Sequence, residues 1–86
     1  MKVLIPTPLR SYTQGRSEIE SQGATLAELL RNLDSAYPGI RSRMIDEQDA
    51  VRRHMRIYVN REQMRKIDIA LAPGDEVMIV QALSGG

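Results

Sequence analysis

Val77-Met78-Ile79-Val80-Gln81-Ala82-Leu83-Ser84-Gly85-Gly86 closes the sequence. Its first half is almost continuously apolar, the composition of a strand covered on a face by other elements. It then runs without a turn or charged residue into two glycines. Two final glycines arise by chance in about one chain in 200 at a Gly usage of ~7%. A frayed end would account for them equally simply. Their place directly after a core strand favours a second reading, a small tail projected from a rigid body.

Outward from this strand the chain alternates between turn and apolar signals. Ala72-Pro73-Gly74-Asp75 is a turn, with proline setting φ and glycine accepting a positive φ. The last strand is expected over Glu76 to Leu83. Lys2-Val3-Leu4-Ile5 predicts the first strand, with Val3 and Ile5 on one face, and Pro6-Thr7-Pro8 stops it. Arg16 to Glu20 reads as a short second strand with Ile19 inward, or as an extended loop. Thr25-Leu26-Ala27-Glu28 matches a capping box. Leu26, Leu29, Leu30 and Leu33 follow at the spacing of one helical face, and Tyr37-Pro38-Gly39 ends it. Between Ile40 and Asp49, Met44 and Ile45 could anchor a short helical turn. A strand beginning at Arg52 and centred on Ile57-Tyr58-Val59, a turn at Asn60-Arg61-Glu62 and a short strand from Gln63 to Ile67 complete the pattern. Strands around a single main helix predict an α+β fold, with the first and last strands adjacent in the middle of a mixed sheet.

Composition excludes several function classes. The 86 residues carry 12 basic and 11 acidic side chains, so net charge (+1) points to no particular partner. Absence of cysteine removes thiolate nucleophiles, Cys-ligated metals and clusters, and one histidine cannot build a multi-histidine site. Asp46, Glu47 and Asp49 lack the glycine and glutamate spacing of a calcium loop. Arg52, Arg53, Arg56, Arg61, Arg65 and Lys66 crowd one expected hairpin. They read as a solvated edge or a site for an acidic protein rather than for nucleic acid, with few aromatics for stacking. His54 reads as a surface or edge residue, and Tyr12 and Tyr37 as packing residues at loop edges. No apolar run approaches the ~20 residues of a bilayer span, and the start has no signal-peptide pattern, so no membrane is expected and the location expected is cytoplasmic.

Several stretches resemble the ubiquitin-like β-grasp sulfur carriers, the family of the molybdopterin-synthase small subunit and the thiamine sulfur carrier. They are Gly74-Asp75-Glu76-Val77 leading into the last strand and the final Gly85-Gly86. Ile5-Pro6-Thr7-Pro8-Leu9-Arg10, Ile57-Tyr58-Val59-Asn60 and Ala82-Leu83-Ser84-Gly85-Gly86 are similar to the carriers that serve cysteine synthesis. Many relatives have a proline where this chain has Gln81, a change expected to loosen the base of the tail.

The resemblance implies a β-grasp domain over 1–83, with four to five strands and one main helix, and a flexible tail over 84–86. It implies a sulfur carrier and not an enzyme, with no catalytic residue and no metal. The carboxylate of Gly86 would be adenylated by an E1-like enzyme using ATP, then converted to a thiocarboxylate. Gly85 and Ser84 would thread it into the partner, since glycine lets backbone approach closely. The accepting synthase would be a pyridoxal-phosphate enzyme of cysteine synthesis. Alternatives are sulfur donation for molybdopterin or thiamine thiazole, and a protein modifier joined through Gly86. Met78, Val80, Tyr58 and Leu83, with Leu4 beside them, are the expected docking patch.

Overall fold

In the computed structural model, which describes residues 1–82, five strands form one sheet in the order β2-β1-β5-β3-β4. The elements are β1 (Lys2–Leu4), β2 (Glu18–Glu20), α1 (Leu26–Ala36), α2 (Ile40–Met44), β3 (Met55–Val59), β4 (Glu62–Met64) and β5 (Glu76–Gln81). β5 is the middle strand, parallel to β1 and antiparallel to β3; the other pairings are antiparallel. The expected α+β arrangement and the adjacency of first and last strands are both present.

α1 begins where its chemistry requires. The Glu28 amide donates to the Thr25 hydroxyl at 3.2 Å, which satisfies one orphan N–H. The Glu28 carboxylate departs from the expected box and accepts from the Ala24 amide at 3.1 Å. A distant segment takes two further amides of the first turn. Leu26 N–H donates to the Ile69 carbonyl at 3.0 Å and Ala27 N–H to that of Ile67 at 2.7 Å. Residues 67–71, between β4 and β5 and in neither strand, are thus the helix's second cap.

The four leucines of α1 are buried against Val3, Ile57, Val77 and Ile79 of the sheet, with Ile40, Met44 and Ile45 closing the core at one side. Ile19 points into the same core, as expected. Gly23 permits the close approach of β2's exit to α1: a Cβ there would sit 2.8 Å from the Leu29 Cα, inside backbone contact.

All five strands are shorter than expected, β1 ending at Leu4 instead of Ile5 and β5 at Gln81 instead of Leu83. β2 starts at Glu18 because Thr13 gathers the preceding turn, its buried hydroxyl lying 2.8 Å from the Arg16 carbonyl and 3.3 Å from that of Arg10. β3 starts at Met55, whose amide closes a turn on the Arg52 carbonyl at 2.9 Å. β4 spans only Glu62–Met64. Asn60 and Arg61, both at positive φ (51° and 71°), make the two-residue β3–β4 turn. Leu83, at the expected end of β5, and the expected tail over 84–86 lie outside the described residues.

Candidate functional site

β5 is held differently along its length. Its ladder with β1 ends at Leu4↔Met78, where β1 gives way to Pro6. Its ladder with β3 runs on to Met55↔Gln81. Ala82 N–H then donates to the His54 carbonyl at 2.7 Å. Gln81, expected to loosen this end, is instead a ladder residue, because its position faces Met55 and not a terminated strand. The exit of β5 is therefore fixed by β3 alone.

The entry of β5 is fixed by side chains. The Asp75 carboxylate accepts from the Ala72 amide at 2.8 Å and from the Asn60 side-chain amide at 2.8 Å. Asn60 in turn accepts from the Glu76 amide at 3.0 Å through its side-chain oxygen. The Ala72 amide, then Asn60, hold the Asp75 carboxyl below its ordinary pKa. This clamp ties the β3–β4 turn to the Pro73-Gly74 turn and sets where β5 starts. The Gly74-Asp75 turn was legible beforehand; the role of Asn60 was not, and its place in a two-residue turn was the available signal.

Between entry and exit, β5 presents alternate residues to opposite sides. Val77 and Ile79 are buried under α1, while Met78 and Val80 are half-buried on the other face. Register places Leu4 and Tyr58 on either side of Met78, and Arg56 beside Val80. The expected patch of Met78, Val80, Tyr58 and Leu4 is thus one contiguous area on the helix-free face. Leu83, Ser84, Gly85 and Gly86 are outside the described residues. Around the exit, the Arg43 Nε donates to the Tyr12 hydroxyl at 2.7 Å, and that bond raises the guanidinium pKa. Tyr12 is half-buried against the core, as is Tyr37.

Other polar groups serve structure. Asp46 accepts from the amides of Gln48 at 2.8 Å and Ala50 at 3.0 Å, so it organises its own loop. Those two bonds, with Ala50 first, draw its carboxyl pKa down. Among the described residues no group of three or more His, Cys, Asp or Glu side chains is placed to hold a metal ion. No helix among them is long and apolar enough to cross a membrane.

The family model described as the ThiS family matches residues 3–86. The chain belongs to the ThiS family. The sulfur carrier protein CysO of Mycobacterium tuberculosis is 37% identical over 89 aligned positions, covering 98% of this chain and 96% of that protein. Its crystal structure matches with a TM-score of 0.89 at 36% identity, over 95% of this chain and 98% of that one. The Amycolatopsis orientalis BexX/CysO complex contains a chain matching at TM-score 0.90 and 33% identity, over 99% and 98% of the two chains. SAMP1 from Haloferax volcanii matches at TM-score 0.77 and 26% identity, over 100% and 98%.

Proposed function

We propose that this ThiS-family chain is a sulfur carrier for cysteine biosynthesis, with sulfur held as a thiocarboxylate on Gly86. The observation that carries the reading is the build of β5. A central strand, clamped at entry by Asp75 and Asn60 and at exit by β3, leads directly into Leu83-Ser84-Gly85-Gly86. Such a body is a rigid handle for a terminus that reacts elsewhere. The relatives named CysO support the sulfur-carrying role.

The chemistry follows from the group available. A carboxylate is a poor electrophile. Transfer to the α-phosphate of ATP, with loss of pyrophosphate, gives an acyl-adenylate. A sulfide donor then attacks the carbonyl carbon, AMP leaves, and Gly86 ends as a thiocarboxylate. An E1-like enzyme supplies the ATP step, and a pyridoxal-phosphate synthase receives the sulfur. The half-buried Met78, Tyr58, Leu4 and Val80 face docks the body, since an apolar patch beside a reactive end fits a partner surface. The complex of a CysO with BexX supports engagement of a protein partner.

Incubation with the activating enzyme, ATP and sulfide, followed by intact mass, tests this reading. Replacement of one oxygen by sulfur is expected. The likeness to SAMP1, a small archaeal modifier protein, favours a second reading in which Gly86 joins lysines of other proteins. Isopeptide-linked conjugates in the native cell, without a thiocarboxylate, would select it.

A further inference from the structure

Charge is distributed unevenly along the axis of β5. At its entry end Glu18, Glu20, Glu62 and Glu76 stand with Lys2 and Arg61, a mixture of signs. The Lys2 Nζ lies 3.9 Å from Glu18 and 3.8 Å from Glu76 and draws them together. Beside the exit end three clefts adjoin in a row: Arg52 lines the first and second, Arg43 and His54 the second and third, and Gln81 the third; among the described residues no carboxylate lines any of them. Arg53 and Arg56 extend the same wall.

Three of these arginines, Arg43, Arg52 and Arg56, are placed without being neutralised. Arg52 Nε donates to the Ser42 carbonyl at 2.7 Å. One Nη of Arg56 donates to the carbonyls of Arg53 and Met55, each at 2.8 Å. Arg43 is held by the Tyr12 hydroxyl. All these acceptors are uncharged. Among the described residues none of Arg43, Arg52, Arg53 and Arg56 is in an ion pair. Asp46 feels the charge of Arg52 less than it feels its two loop amides. Holding a cation in place while leaving its charge open lowers the ordering cost of meeting an anion there.

We propose that Arg43, Arg52, Arg53 and Arg56 form a cationic collar around the exit of β5 that docks on a carboxylate-rich rim at the mouth of the activating enzyme's channel. This rests on the sulfur-carrier reading. Opposite charge beside the exit turns the body so that residues 83–86 approach the channel first, which acts chiefly on encounter rate and register. Arg56 lies beside Val80, so the collar continues the apolar face and both can engage one partner surface. A protein rim fits better than nucleic acid. Among the described residues Tyr12 is the one Phe, Tyr or Trp lining the three clefts, and Arg43 already lies over its ring, 5.9 Å from the centroid.

The test is ATP-dependent adenylation of the full chain, comparing the parent with the double variant Arg43→Glu/Arg53→Glu. Both side chains are exposed, and equal melting temperatures establish an intact fold. The expected result is a KM raised on the order of tenfold or more at low salt, with kcat unchanged and a flatter salt dependence. Arg43→Gln/Arg53→Gln should give an intermediate shift. If the parent is adenylated and both variants match it, the collar is overturned while the carrier reading stands. If the parent itself is not adenylated, both fall. Retention of the parent on single-stranded DNA at about 150 mM salt, lost in the charge-reversed variant, would give the collar to nucleic acid and overturn the proposal.

Discussion

The two faces of one sheet are built from neighbouring residues and do different things. Val3, Ile57, Val77 and Ile79 lie under α1 and are at most 2% exposed. Leu4, Tyr58, Met78 and Val80, one residue away along the same strands, remain partly open to solvent. Two things separate them: the helix covers only the first set, and charged neighbours such as Glu18 and Arg56 flank the second. Burial of the first set stabilises the fold. The second set contributes less to stability and is the face proposed to dock a partner.

Substitutions under the helix should break this comparison most visibly. Leu30 is fully buried, and Leu30→Ala should cost on the order of 2–5 kcal/mol. In a domain this small such a loss removes much of the total stability. Denaturant unfolding reads it, and a variant as stable as the parent would show that Leu30 is not core.

Gly23→Ala should come next. The added Cβ would press on the Leu29 backbone, which cannot rotate away as a side chain can. A loss of about 1–3 kcal/mol is expected from such overpacking, again by denaturant midpoint. Equal stability would mean that β2 and α1 can separate freely.

On the open face the order of effects reverses. Met78→Asp should cost about 1 kcal/mol of stability, the span of strand propensity, which is less than the losses under the helix. It should weaken binding to the activating enzyme about tenfold or more, because a carboxylate would be desolvated in an apolar contact. Binding titration of the folded variant with unchanged affinity would remove this face from the docking surface.

The smallest effect belongs to the Asp75 clamp. Its folded-state pKa is lowered, so its stabilising contribution is present above the unfolded pKa and fades as pH falls through the folded one. Stability should therefore decline on the acid side, below the ordinary Asp value of about 3.9. Asp75→Asn should flatten that decline by losing the contribution at neutral pH, where the variant should melt slightly below the parent. Asp46 contributes with the same sign. An acid limb identical in the variant would dissociate Asp75 from it.

Much of this was legible in local pattern. The leucine spacing of α1, the Pro73-Gly74 turn and the alternation along β5 each depend on residues close in sequence. What escaped was carried by long-range contact. The second cap of α1 comes from Ile67 and Ile69, about forty residues on in the chain, and no spacing rule reaches them. The Asn60 clamp joins two turns separated in sequence. Strand ends at Arg16 and Arg52 were misjudged because Thr13 and the Arg52 carbonyl divert backbone bonds into turns. The open patch was readable from alternation and pairing. Its cationic border was visible only as a run of arginines, since their convergence on the exit of β5 depends on α2 and on the turn before β3.

The central claim is that the body is a handle and Gly86 the reacting group. Intact mass after incubation with activating enzyme, ATP and sulfide tests it most directly. The parent should gain sulfur in place of one oxygen, only with ATP. A chain lacking Gly86 retracts its carboxylate by roughly 3.3–3.6 Å, and one extended beyond Gly86 has an amide there. Both should melt like the parent and gain no sulfur. Thiolation of either at the parent rate would contradict the account.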